Sequence, residues 1–200
     1  MKILVDERDI EELKYGMRVG VGKEAACYLP EDDNKIVKIY KDGYTVSNLL
    51  ENEIIHKQIA YPIDTLYDSK DVLRGYTMNY LSGEHFIHGF SQNLTLKDLK
   101  KAYLETRMIL LKLQDVYMDD NCLDNMIYDY RRNRINLIDT SRWYLKHDGH
   151  LESINEFNWQ MMSAILENID WKHFKLNKDK VLFELHMTYK YLENIPSLFL

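Results

Sequence analysis

The sequence is sparing with the residues that break chains and with those that staple them. Of 200 residues, 3 are proline, 8 are glycine and 2 are cysteine. So little proline and glycine argues against a low-complexity linker or a collagen-like repeat. The two cysteines, Cys27 and Cys122, form neither a zinc spacing nor a disulfide framework, and they predict a reducing compartment. No apolar run approaches the roughly 20 residues that span a bilayer, so no membrane partner is expected. The opening stretch MKILVDERDIEELKYG meets acidic charge at Asp6 and lacks the apolar core of a secretory signal, which predicts a cytoplasmic location. Basic charge is also short: 26 Lys and Arg face 32 Asp and Glu, for a net charge of −6. That argues against nucleic-acid binding, which rests on neutralising phosphates. The histidines, at 56, 85, 88, 147, 150, 173 and 186, are too scattered for a metal box. No repeat or low-complexity tract is present.

What remains is a chain with 46% apolar and 12% aromatic residues, enough for a core within one compact unit of one or two lobes. Residues 15–22 and 25–29 flank a glycine turn, and residues 35–40 alternate charged and apolar side chains, a strand pattern. Leu49, Leu50, Ile54, Ile55 and Ile59 recur at helical spacing and predict an amphipathic helix over 46–59. Residues 72–81 read as a further strand. A helix is expected over 96–115, with Thr95 and Asp98 placed as a capping box. Two short apolar runs, 126–128 and 135–138, flank a basic turn and predict a β-hairpin. Helices are expected to return over 154–169 and 178–192. Strands first and helices after, with a hairpin at the junction, give an α+β layout.

Three groups of residues carry chemistry. Asp120 and Asn125 lie five positions apart in a polar loop, and Asp139 ends the strand that follows. Phosphoryl transfer needs a carboxylate near the attacking hydroxyl and hard oxygen ligands that hold Mg²⁺ against a triphosphate. Val19-Gly-Val-Gly-Lys-Glu-Ala25 places Gly20 and Gly22 where a backbone can approach phosphates closely. Lys38 then falls within the alternating strand. Tyr76-Thr-Met-Asn-Tyr-Leu-Ser-Gly-Glu84 reads as a strand that ends in a Ser-Gly turn.

In this order the groups resemble the protein-kinase-like superfamily over about residues 13–169. The resemblance implies a two-lobe fold, with a β-rich N-lobe over 1–82 and a truncated helical C-lobe over 83–200. It implies ATP and Mg²⁺ as cofactors. Asp120 would be the catalytic base or the residue that orients the hydroxyl, Asn125 and Asp139 would ligate magnesium, and Gly20 and Gly22 would line the phosphates. Lys38 would contact phosphate and pair with a helix carboxylate, Glu51 in preference to Glu53, because Glu51 shares the edge of Ile54 and Ile55. Met78 would be the gatekeeper, and the backbone of Asn79 and Leu81 would hydrogen-bond adenine. The implied activity is that of a minimal protein kinase of the Ser/Thr type acting on a protein substrate.

The sequence departs from the pattern at four positions. Met118 replaces the catalytic-loop histidine, Thr140-Ser141 replaces the Phe-Gly after the metal aspartate, and Cys122 stands where many Ser/Thr kinases carry lysine. Little chain separates Asp139 from the helix around Trp159, and no Ala-Pro-Glu-like motif lies between them, so no phosphorylatable activation loop is expected. Control would come from an activating protein partner that steadies the 46–59 helix. The architecture resembles small effector kinases that bacterial pathogens deliver into host cells, which adds a secreted location as an alternative. Two rival functions remain: a pseudokinase or nucleotide-binding interaction module, and a small-molecule kinase of the aminoglycoside or choline type.

Overall fold

Strand Lys35–Tyr40 carries two alternating sets of side chains, and the first part of the fold is built to bury both. The computed structural model describes residues 1–31, 34–46, 54, 56–85, 96–120 and 122–168. In chain order the elements are β1 (Lys2–Leu4), α1 (Glu7–Leu13), β2 (Met17–Val21), β3 (Ala25–Leu29), β4 (Lys35–Tyr40), β5 (Pro62–Tyr67), β6 (Leu73–Asn79), β7 (Glu84–His85), α2 (Leu96–Lys112), β8 (Val116–Tyr117), β9 (Met126–Asp129), β10 (Arg134–Leu137), β11 (Tyr144–Leu145) and α3 (Gly149–Asn168). Single 3₁₀ turns occupy Leu123–Asn125 and Thr140–Arg142. The chain is α+β. It divides into two units, Met1–Leu81 with Leu137–Leu145, and Ser82–Asn136 with Lys146–Leu200. Leu137–Leu145, expected in the second domain, thus groups with the first.

The first unit holds a six-stranded sheet in the order β1-β5-β6-β4-β3-β2, with β1 parallel to β5 and the other pairs antiparallel. Successive side chains of a strand point to opposite faces. Val37 and Ile39 of β4 therefore pack on one face with Val5, Ile10 and Leu66, beneath α1. Tyr40 and Ile36 pack on the other, with Ala25, Tyr76 and Met78, and Lys38 shares that face. Helix α1 starts in a reciprocal capping box. The Asp9 N–H donates to Asp6 Oδ1 at 2.9 Å, and the Asp6 N–H donates to Asp9 Oδ2 at 2.8 Å. The segment from Leu137 joins this unit through backbone bonds. Leu137 N–H donates to the Gln58 carbonyl at 2.7 Å and Ala60 N–H to the Leu137 carbonyl at 2.9 Å.

In the second unit, β10, β9 and β7 form a three-stranded sheet in that order. The β9–β10 turn is basic because it closes on a buried anion. Asp129 accepts from the Arg131 and Arg132 N–H groups at 3.1 and 3.3 Å and from Arg132 Nη1 at 2.9 Å. Helices α2 and α3 pack through Tyr103 and Phe157, stacked at 5.7 Å, and the Tyr103 hydroxyl donates to Asn158.

Several expectations need correction. Of the helix expected over 46–59, the described positions, 46, 54 and 56–59, are not helical. His56–Ile59 is a turn, and Ile59 bridges in parallel to Leu137, because the inter-strand contact outcompetes local helical spacing. Most of the rest of that helix, including Glu51 and Glu53, lies outside the described residues, as do Thr95 and the helix expected over 178–192. Helix α3 starts at Gly149, ahead of the expected 154, and α2 ends at Lys112. Elements β1, α1 and β5 were not expected.

Candidate functional site

The first unit brings Lys38 and Asp139 together across 101 positions of sequence. Strand pairing sets Lys38 opposite Cys27 on β3 and opposite Tyr76 on β6. Gly75 allows β6 to come that close: a Cβ there would lie 2.2 Å from the Lys38 carbonyl oxygen. Lys38 is only 7% exposed. Its ammonium pairs with Asp139 Oδ1, reaches Ser141 Oγ at 3.5 Å, and stands 5.7 Å from the centre of the Tyr76 ring. A buried ammonium is tolerated when it is paired and hydrogen-bonded.

Asp139 is held by its own backbone as well as by Lys38. Its φ and ψ are 53° and 52°, in the left-handed region, which is uncommon outside glycine, asparagine and aspartate. The 3₁₀ turn that follows is anchored at both ends. Thr140 Oγ1 donates to the Ala60 carbonyl at 2.8 Å, and Arg142 Nη2 bonds Glu24 Oε1 at 2.5 Å. Ser141 Oγ donates to Asp139 Oδ1 at 3.1 Å.

The wall around this pair keeps its phenols and thiol protonated. Burial pushes the Cys27 thiol up to about 11, against the pull of Lys38. Burial also holds the Tyr76 phenol well above its usual range, and the Asp139 carboxylate adds to that. The Tyr40 and Tyr76 hydroxyls are buried, and the polar side chain beside both is the Ser141 hydroxyl.

Gly20 and Gly22 behave differently from the other glycines of this unit. At Gly16 a Cβ would sit 2.3 Å from the Leu29 carbonyl oxygen, so packing demands glycine there, as at Gly75. At Gly20 and Gly22 a Cβ would meet nothing nearer than 3.9 and 3.8 Å, and neither residue is in the left-handed region. The fold itself does not require glycine at either position. Met78 is buried beside Tyr76, Asn79 is exposed opposite Lys35, and Leu81 packs partly against the same cluster.

In the second unit, the loop around Asp120 is organised on one carbonyl. Asn125 Nδ2 donates to the Asp120 carbonyl at 2.7 Å, and the Cys122 N–H donates to it at 2.9 Å. Asp120 has φ 61°, and its N–H donates to Asp119 Oδ1 at 3.0 Å. With its nitrogen on that carbonyl, the Asn125 side chain is fixed in orientation, and its amide oxygen is its one acceptor. Met118 is fully buried, and its N–H donates to Ser153 Oγ at 2.8 Å. Glu156 of α3 has a raised carboxyl pKa, through burial and the neighbouring Asp119 and Asp120 charges.

Among the described residues no group of three or more His, Cys, Asp or Glu side chains could hold a metal by itself. Magnesium bound with a nucleotide needs only one or two protein oxygens, the rest coming from phosphate and water; Asp139 has such an oxygen in the first unit and, separately, Asn125 has one in the second. Sequence reasoning missed Ser141, Cys27 and Tyr76 as neighbours of Lys38. Cys27 was recoverable from hairpin register, since alternation puts it on the Lys38 face. Ser141 was not, because its position depends on the turn after Asp139. Against models of known protein families and against curated proteins, the sequence has no match.

Proposed function

We propose that this chain is an ATP- and magnesium-dependent phosphotransferase of two-lobe, protein-kinase-like architecture that acts on protein hydroxyls. The observation that carries the reading is the buried Lys38 ammonium paired with Asp139. A sheet interior rarely holds a lysine without use for its charge, and this lysine and carboxylate are the two charges that a bound Mg·ATP requires. The two open glycines of the β2–β3 hairpin support it, since their hydrogen-only side chains serve no packing need of the fold. The Asp120–Asn125 loop supports it from the second unit. Its internal bonds turn the Asp120 carbonyl inward, while Asp120 itself stays exposed. Assignment of both sets to one reaction rests on the order and spacing of the motifs.

In the proposed reaction Asp120 orients the acceptor hydroxyl and takes its proton as the oxygen bonds to the γ-phosphorus. The bond to the β,γ-bridging oxygen breaks, and ADP leaves. Lys38 holds negative charge on the phosphates, and Asp139 and Asn125 would hold the metal. Bound magnesium would supply charge neutralisation across the phosphates. Met78, Asn79 and Leu81 would border adenine, and Glu51 is the proposed helix partner of Lys38. The proposed activation needs a protein partner and no loop phosphate.

A second reading, a nucleotide-binding module without transfer, is favoured by one feature: Met118 is buried in the core, and no imidazole stands in its place. The two are separated by incubating the protein with γ-labelled ATP, Mg²⁺ and a mixed protein lysate. Label transfer by wild type, lost in Asp120→Asn while ATP binding persists, supports the phosphotransferase. Binding without transfer to protein or to small alcohols supports the module.

A further inference from the structure

Asp139 makes its two described side-chain contacts through the same oxygen. Lys38 Nζ pairs with Oδ1, and Ser141 Oγ donates to Oδ1 at 3.1 Å. No hydrogen bond or ion pair to Oδ2 is made among the described residues. Ser141 also lies 3.5 Å from Lys38 Nζ, so one hydroxyl accepts from the ammonium and donates to the carboxylate, as its donor and acceptor capacity allows. Ser141 is buried. It sits in a turn pinned by Thr140 to Ala60 and by Arg142 to Glu24, and the left-handed backbone of Asp139 fixes where that carboxylate starts.

We infer that Ser141 is the positioning residue that sets Asp139 for magnesium, holding Oδ1 with Lys38 so that Oδ2 faces the cation. The inference deepens the phosphotransferase reading and rests on it. Lys38 and the metal then share one carboxylate, an oxygen each, and the lysine need not be expelled when the metal arrives. Without the Ser141 hydroxyl the carboxylate turns more freely and Lys38 can span both oxygens, in competition with the metal. Groups that orient a ligating side chain typically change metal affinity by about tenfold or more.

The test is Mn²⁺ binding, read by water-proton relaxation, in full-length protein with a non-hydrolysable ATP analogue. Ser141→Ala is expected to raise the metal half-saturation about tenfold. The analogue's half-saturation at saturating metal should change less than about twofold, and Ser141→Cys, with a weaker donor, should fall between. A purely structural role would lower the melting temperature without separating metal from nucleotide. In ligand-free protein, the Lys38 Nζ resonance should shift in Ser141→Ala while other lysine signals stay in place. An unmoved resonance, or a metal half-saturation equal to wild type in both variants, overturns the inference alone. A wild-type protein that takes up no Mg²⁺ or Mn²⁺ complex of ATP overturns the phosphotransferase reading and this inference with it.

Discussion

The Lys38–Asp139 pair is asymmetric in burial, and that asymmetry predicts which partner is costly to remove. The Lys38 side chain is 9% exposed and that of Asp139 is 44% exposed. Asp139→Asn removes the charge opposite a buried ammonium and leaves it neutral neighbours, the new amide oxygen, the Ser141 hydroxyl, the Tyr76 ring, the Cys27 thiol and the Tyr40 phenol among them. Removing one partner of a fully buried pair costs about 3–5 kcal/mol. Here water can reach the vacated side, which lowers the expected cost to about 2–3 kcal/mol. Asparagine tolerates the left-handed backbone of this position, so the substitution adds little strain. Lys38→Met instead puts an unbranched apolar side chain on an apolar face and leaves a half-exposed carboxylate in contact with water. Its expected cost is at most about 1 kcal/mol. For a chain of this size each kcal/mol moves the melting temperature by about 2–4 °C, so Asp139→Asn should melt roughly 4–12 °C below wild type. The double variant should melt close to Lys38→Met alone, because its stranded charge is gone. Urea and thermal unfolding of the four proteins measure this cycle. If Lys38→Met destabilises as much as Asp139→Asn, the burial argument is wrong.

Other outcomes follow from single residues. Gly20→Ala and Gly22→Ala should leave stability unchanged or raise it by about 0.4–1 kcal/mol while weakening Mg·ATP binding. Gly16→Ala and Gly75→Ala should lose about 1–3 kcal/mol through overpacking. Equal destabilisation of all four in urea melts would show that the hairpin glycines are structural. The Cys27 thiol has its pKa raised from 9.0 to about 11, so the unfolded chain loses that proton first as pH rises. Stability should fall between pH 9 and 11, with Cys27 contributing up to about 3 kcal/mol of the loss. Cys27→Ala should flatten that fall in urea midpoints, and an unchanged slope would contradict the assignment.

The parts of the fold that could be read from sequence were those with a repeating period. Strand β4 showed in the alternation of Lys35–Tyr40, and the β9–β10 hairpin showed in two apolar runs around a basic turn. Strand β1 has three residues, and α1 buries only Ile10 along seven; neither is long enough to set up a period. Strand β5 was hidden by Pro62 at its start and by the polar Asp64, which is held by Thr77 and the chain amino group. Ile59 fitted a helical face yet sits in a β-bridge, a pairing fixed by residues far along the chain. At the site, Lys38 and Asp139 could each be placed by motif order. That Ser141 completes their contact depends on a 3₁₀ turn and a left-handed aspartate, which no period in the sequence encodes.

The central claim is tested most directly by the thermal stability of wild type, Lys38→Met and Asp139→Asn with and without millimolar Mg·ATP. A ligand that binds only the folded state stabilises it by RT ln(1 + [L]/Kd), about 2.7 kcal/mol at a hundredfold excess over Kd. The account predicts a clear rise in melting temperature for wild type that needs both magnesium and nucleotide, and no rise for either variant. A wild-type melting curve unmoved by Mg·ATP, or an equal rise in all three proteins, would contradict it.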